Sequence, residues 1–509
     1  MDIKHMTLEQ KIGQLFVVGF PGEEPSEDFK KLVRERKAGN VILFSHNIKS
    51  RRQLKELTQK LDALIREETG IHPLISMDEE GGRVSRLPEP SPVMPAAMAQ
   101  GLTNDTKMIY KGARITGEEL LDMGINLNLA PVLDIHTNPD NPVIGVRSFG
   151  TDAHTVTQCA RAAAKGYMDS GILCSGKHFP GHGDTGEDSH LALPKVNKSL
   201  EEMEKCELIP FRELILDGIP AMTVAHMIVP ALSGESIPCT MSKTAVTGYL
   251  RNKLKFKGLI ISDCMEMNAI KEYFGIERGT VAALNAGIDL IFISHTALAA
   301  ESAIREVRAA LDDGRLSEEI IDRAVSHVIW AKEKLRQFRP VKARTEAKER
   351  IDFAKRFLEI TLDKSLAPAK HRFTLGERPF FVSVRPASVT GIFNETSEQW
   401  NFSDTLADQL GGTGAAVDLD PDCETIQRIV RQAETSTSIV AATLNSRLYA
   451  GQKALISALA RPDRPMLHAE LGNPEDLNDD YEAVCRVPLY EYSKRIADYL
   501  AGYLKNSLL

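Results

Sequence analysis

Fourteen consecutive residues, KHFPGHGDTGEDSH from Lys177 to His190, hold three histidines, three acidic residues and three glycines. Several kinds of chemistry could use that density. Gly181, Gly183 and Gly186 spell G-x-G-x-x-G, the pattern of a phosphate- or dinucleotide-binding turn, but such a turn opens a helix directly. Here it runs into EDSHLALP, polar and closed by proline, so that reading is set aside. A metal site could draw on His178, His182, Asp184, Asp188 and His190. Their spacing fits no H-E-x-x-H or Cys/His arrangement, and glycine-rich backbone is a poor frame for a coordination shell. Neither a metal nor a cofactor is expected. A solvated surface loop would explain any one of these histidines alone, but less readily four ionisable groups together. A general acid/base dyad explains more. Asp188 and His190 are two residues apart, so in an extended segment their side chains share a face. A carboxylate there selects the imidazole tautomer, orients the ring and raises its pKa toward working pH. The dyad needs a nucleophile, and Asp263 in LIISDCMEM is a carboxylate at the end of an apolar run.

The elements that position these groups repeat along the chain. Eight short runs rich in Val, Ile and Leu occur at 15–20, 41–44, 74–77, 126–133, 172–176, 222–229, 259–262 and 289–294. Segments such as SRRQLKELTQKLDALIREE and AESAIREVRAALDDG lie between them, with apolar residues at helical spacing. Eight strands alternating with helices predict a (β/α)8 TIM-like barrel, whose parallel strands are apolar on both faces. Asp78, Asp134, Lys177, His178, Asp263 and His295 fall just after their runs, and His226 lies within its run. Barrel active sites form at the C-terminal ends of strands, so six elements can converge on one pocket.

The pattern changes past residue 335. The expected boundaries are a barrel over 1–340, a charged linker and long helix over 341–370, and a smaller α/β sandwich over 371–509. In that last part strand-like RPFFVSV, SIVAATL and PMLHAEL alternate with helical TIQRIVRQAE, AGQKALISALA and EYSKRIADYLAGYLK. Whether this domain packs for stability, shapes the entrance or carries a dimer contact is open at this level, so a monomer and a homodimer are both admissible.

Composition narrows the partners. A formal net charge of −8 over 509 residues, with no long Lys/Arg cluster, argues against a nucleic-acid backbone. Seven cysteines without CxxC spacing fit a reduced compartment. The start, MDIKHMTLEQKIGQLFVVGF, shows neither a signal peptide nor a membrane span, so a cytoplasmic protein with no membrane partner is expected.

Five stretches together carry a resemblance: KHFPGHGDTGEDSH, MDEEGGRVSRL (77–87), NLAPVLDIHTNP (128–139), NPVIGVRSFG (141–150) and ISDCMEM (261–267). Their order and residues resemble the β-N-acetylglucosaminidases of glycoside hydrolase family 3, NagZ type. VAATLNSRLYAGQKALISAL and ELGNPEDL are more loosely similar to the second domain of two-domain members. The resemblance implies that Asp263 attacks the anomeric carbon, and that His190, oriented by Asp188, protonates the departing oxygen and later deprotonates water. It implies that Asp78, Arg86, Arg147, Lys177 and His178 hold the hydroxyl groups of a terminal N-acetylglucosamine. The result is a retaining displacement in which histidine stands in for the usual second carboxylate. The implied substrate is a peptidoglycan fragment or a related oligosaccharide.

Two positions depart from the family pattern: DEEGG stands where D-Q-E-G-G is common, and LFSHN (43–47) where F-x-R-N is usual. His46 bears on the pocket rim and hence on substrate length. Asp134 is expected to tie down its loop and is left outside the catalytic set. For Arg147 a structural ion pair competes with sugar binding, and for His226 a satisfied core position competes with ligand contact. The alternatives carried forward are a phosphorylase using phosphate in the second step, a non-catalytic sugar-binding barrel, and a β-glucosidase on the same fold. Histidine would tolerate an anionic acceptor that a carboxylate base would repel, which keeps the phosphorylase open.

Overall fold

A computed structural model describes residues 3–186, 193–234, 237–337, 344–366, 373–386, 400–474 and 484–506. Eight of its strands are those of the apolar runs: β1 (Phe16–Val18), β2 (Asn40–Ile42), β3 (Leu74–Met77), β4 (Leu127–Asn128), β5 (Leu173–Phe179), β6 (Ala221–Val224), β7 (Leu259–Cys264) and β8 (Leu290–Ile293). Each pairs in parallel with the next, and β1 with β8, which closes the barrel. β1, β2, β3 and β8 are buried at every position, as a sheet covered on both faces requires.

The helices between strands have local stop and start signals. The helix Arg51–Thr69 is capped by Ser50, which accepts the Gln53 amide, and ends at Gly70 in the left-handed region, where a side chain is unfavourable. The helix Ala153–Ser170 repeats the arrangement with Asp152 and Gly171.

The 126–133 and 222–229 runs form the strands that fall furthest short of their apolar stretches. The 126–133 run is laddered only at Leu127–Asn128, then continues as single contacts, with Ser175 donating to the Ala130 carbonyl and Lys177 to the Pro131 carbonyl. Pro131 has no amide to give, so a regular ladder cannot continue through it. The 222–229 run leaves the ladder after Val224, and Pro230 opens a short helix, Pro230–Ser233.

The second sheet has five parallel strands: β9 (Pro379–Val384), β10 (Thr413–Val417), β11 (Ser438–Thr443), β12 (Met466–Glu470) and β13 (Val484–Pro488). Their spatial order is β10-β9-β11-β12-β13. The helix Ala347–Leu366 joins the two halves: Phe357 belongs to the barrel core, and Leu358, Leu362 and Leu366 to the core of the second sheet. Among the described residues no helix is long and apolar enough to cross a membrane.

Candidate active site

Strand ends place the chemistry. Asp78 follows β3 directly, Lys177 and His178 lie in the last turn of pleat of β5, and Asp263 is the penultimate residue of β7. Arg147 comes from a tight turn, Gly145–Arg147, and Arg86 from the loop after β3. All six line one cavity of about 240 Å³ at the C-terminal end of the barrel, with Glu80, His182, Phe44, Glu266 and His295 among the other walls.

Glu80 organises one wall. Its carboxylate, 4% exposed, takes two parallel bonds from Arg147, at 2.9 Å from Nε and 2.8 Å from Nη2. It also takes Lys177 Nζ at 2.6 Å. Lys177 bridges on to Asp78 Oδ1 at 2.6 Å. Burial would raise the Glu80 pKa, but Arg147 and Lys177 outweigh it and hold the carboxyl well below the usual carboxylate range. The same pairing opposes the burial that would discharge Lys177 and Arg147, whose pKa values are raised. The wall is therefore a fixed array of alternating charges whose hydrogen bonds are already directed, an arrangement suited to polar ligand groups.

Asp134 organises the neighbouring wall. It is fully buried and accepts His178 Nδ1 at 2.6 Å, the His178 amide at 3.2 Å and the His182 amide at 2.6 Å. Burial alone would raise the Asp134 pKa, but His178 and these bonds lower it. A carboxylate can only accept, so His178 carries its proton on Nδ1 and offers Nε2 toward the cavity. His182 Nδ1 bonds the Thr185 hydroxyl at 2.8 Å. Burial, reinforced by His178, depresses the His182 pKa to about 4 and keeps the ring neutral near pH 7.

The nucleophile candidate is held from the backbone side. Asp263 Oδ1 accepts the Cys264 amide at 2.8 Å, and the Cys264 carbonyl is 3.0 Å from His226 Nε2. His226 is fully buried, with Nδ1 at 2.8 Å from the Thr240 hydroxyl, so it is a satisfied core histidine that steadies this strand end. Burial pushes the Cys264 thiol up to about 12, which leaves it inert beside Asp263. Opposite, Phe44 stacks on His295 at 4.9 Å between centroids and on His46 at 5.8 Å.

The structure brings Asp78, Arg86, Arg147, Lys177, His178 and Asp263 to one cavity. Asp188 and His190 lie outside the described residues. Arg147 is both an ion-pair partner and a cavity residue, and Asp134 ties down its surroundings as expected. Sequence reasoning missed Glu80 and weighed His182 only as a metal-ligand candidate. The period-two spacing of Asp78 and Glu80 after a strand would have flagged Glu80. His182 had no such signal beyond its place in the histidine-rich segment. Among the described residues, no group of three or more His, Cys, Asp or Glu side chains is placed to hold a metal ion.

A closed parallel barrel with ionisable groups from several strand ends around a single cavity is the architecture of a barrel enzyme. The chain belongs to glycosyl hydrolase family 3, whose N-terminal domain model matches residues 7–331. It is 33% identical over 370 residues to beta-hexosaminidase A of Pseudoalteromonas piscicida, covering 65% of this chain and 62% of that protein. It is 34% identical over 303 residues to a beta-hexosaminidase of Alkalilimnicola ehrlichii, covering 57% of this chain and 83% of the relative. Among solved structures, a glycoside hydrolase family 3 beta-N-acetylglucosaminidase from Paenibacillus sp. str. FPU-7 superposes with a TM-score of 0.89 at 35% identity, over 99% of this chain and 97% of that one.

Proposed function

We propose that the protein is a retaining exo-β-N-acetylglucosaminidase, removing terminal β-linked N-acetylglucosamine from peptidoglycan fragments or related oligosaccharides in the cytoplasm. The observation that carries this reading is the placement of Asp263 on the same small cavity as the Asp78–Lys177–Glu80–Arg147 array. Its volume of about 240 Å³ is below the roughly 300–1,000 Å³ typical of drug-sized ligand sites. That suits one pyranose ring, and a pocket for one ring favours cleavage at a chain end.

In the proposed cycle the ring hydroxyls bond to Asp78, Arg86, Arg147, Lys177 and His178, with Glu80 holding Arg147 and Lys177 in place. An Asp263 oxygen attacks the anomeric carbon as the glycosidic C–O bond breaks, and the departing oxygen takes a proton from His190, oriented by Asp188. Water, deprotonated by His190, then attacks the same carbon and breaks its bond to Asp263, which releases the sugar with its anomeric configuration retained and restores the free carboxylate. The likeness to relatives named as hexosaminidases supports the choice of sugar.

The test is incubation with an aryl β-N-acetylglucosaminide and an aryl β-glucoside, each with and without phosphate. Free N-acetylglucosamine as the product supports the proposal. A sugar 1-phosphate assigns the second step to phosphate, glucose release assigns a glucosidase, and no product from either substrate leaves a binding protein.

A further inference from the structure

Glu79 is the acid that stands where the family commonly has glutamine, and it lies between two cavity residues without lining the cavity itself. It is 1% exposed. Its backbone is locked on both sides by Asn128, whose Oδ1 accepts the Glu79 amide and whose Nδ2 donates to the Glu79 carbonyl, both at 3.0 Å. Its Oε2 accepts the Arg86 amide at 2.8 Å.

Between these two residues the chain has little freedom. The Glu80 amide donates to the Val84 carbonyl at 2.9 Å and the Gly82 amide to the Met94 carbonyl at 2.9 Å. Gly82 has φ +57°, and a Cβ there would lie 2.8 Å from Ala96. The turn can follow one path, and the Glu79 carboxyl fixes where it returns at Arg86, whose side chain reaches the cavity.

We propose that Glu79 is a positioning residue for the sugar pocket: its buried carboxyl, bonded to the Arg86 amide, couples the placement of Arg86 to the protonation of Glu79. Glutamine would make the same hydrogen bond, so the one property an acid adds is a proton that can leave. Among the described residues Glu79 makes no ion pair, and burial pushes its pKa up to about 7 against the pull of the Arg86 amide, the Ser85 hydroxyl and the Arg86 and Arg495 charges. The groups facing it are Arg86 on the return, Tyr167 from the helix Ala153–Ser170 and Arg495 from the helix Lys494–Lys505, and Asp78 and Glu80 adjoin it in sequence. Ionised, Glu79 makes a charge-assisted bond and draws the Arg86 guanidinium to its place; protonated, it holds both more weakly.

The inference rests on the sugar-site reading, and the experiment separates the two. N-Acetylglucosamine is titrated calorimetrically into the wild type and Glu79→Gln between about pH 5.5 and 8.5. Wild-type affinity is expected to rise roughly five-fold as pH passes 7, the change from a neutral to a charge-assisted bond, while Glu79→Gln lacks that step. Any histidine step is common to both proteins, so the difference isolates Glu79. Thermal unfolding gives a second readout. An acid with a raised folded pKa loses stability as pH climbs from the unfolded value toward the folded one, so wild type should lose stability relative to Glu79→Gln from about pH 4.5 to 7 and then level off. Parallel pH profiles with binding intact overturn this inference and leave the sugar site standing. Should Glu79→Gln not fold, a wild-type profile without a step near neutrality overturns it equally. No binding by either protein at any pH overturns both.

Discussion

The barrel and the five-stranded sheet present the same kind of edge, the C-terminal ends of parallel strands, and use it in opposite ways. At the barrel edge Asp78, Lys177, His178 and Asp263 surround an open cavity. In the second sheet the strand order reverses between β9 and β11, the position at which open sheets commonly bind ligands. Several chain segments leaving that edge contact the barrel instead. After β11, Arg447 pairs with Asp140 at 2.5 Å. After β12, the Asn473 side chain approaches Gly145, where a Cβ would have only 2.4 Å. After β13, Tyr490 packs with Ala96, Met98 and Val146. Arg495, on the helix that follows, donates to the Val93 and Met94 carbonyls at 2.6 and 3.0 Å. The barrel residues in this set belong to the loops that carry Arg86 or Arg147, except Met98, which lies in the first turn of the helix Ala97–Thr103 that follows the Arg86 loop. The second domain thus braces the cavity wall, and its own edge is occupied by that role.

If the barrel edge does the chemistry and the sheet edge holds it, substitutions at the two should fail differently. The largest effect is expected at Asp263. Asp263→Ala should lower turnover of an aryl N-acetylglucosaminide by at least about 10³-fold while the protein unfolds at its usual temperature. Near-normal turnover would remove Asp263 from the role. Glu80→Gln comes next and should damage both properties, because it leaves Arg147 and Lys177 buried with less compensation. A loss of about 3 kcal/mol in denaturant unfolding is expected, the low end for a broken buried pair because Asp78 still meets Lys177. The sign with pH follows from the lowered Glu80 pKa. Its stabilisation is fully present above the usual carboxylate range and is lost as pH falls below it, so wild type and Glu80→Gln should converge in acid. A constant gap would show that the charge of Glu80 is not what stabilises the wall.

How much of this contrast the sequence reveals depends on the signal each element leaves. The barrel strands are doubly buried and therefore apolar throughout, and their eightfold recurrence with chemical residues at the ends is visible without a structure. β10 was invisible for the converse reason: TGAAV is small, half-exposed and at the sheet edge. β13, VCRVP, carries an arginine and a proline and is also an edge strand. Motif order singles out Asp78, Arg86, Arg147, Lys177, His178 and Asp263, which the fold gathers on one cavity, but the partners that fix them are set by tertiary approach. Glu80 meets Arg147 across 67 positions and Asp134 meets His178 across 44. The brace is the least legible part, since Arg495 meets Met94 401 positions away through backbone carbonyls that carry no sequence identity.

The brace itself can be weakened by degrees. Arg495→Ala removes the donors to two carbonyls and leaves Glu491, 3% exposed, without the cation that now meets it at 2.7 Å. A cost of about 2–3 kcal/mol is expected, with a KM for the aryl substrate raised several-fold and kcat nearly kept, because Asp263 is on the far side of the barrel chemistry from this contact. A fall in kcat alone would contradict a bracing role.

The smallest effect belongs to Arg447. It is 36% exposed and its partner Asp140 57%, so the pair is screened by solvent and Arg447→Ala should cost about 0.5 kcal/mol or less, with both kinetic constants unchanged at moderate salt. The two arginines reach the same face of the barrel from the same domain. If bracing depends on net charge between the domains, their effects should be similar and both should shrink as salt rises. If it depends on buried donors meeting buried carbonyls, Arg495→Ala should keep its full cost in high salt while the already small Arg447→Ala effect vanishes. Paired denaturation curves at low and high ionic strength decide between these, and equal, salt-sensitive losses would reduce the brace to a surface attraction.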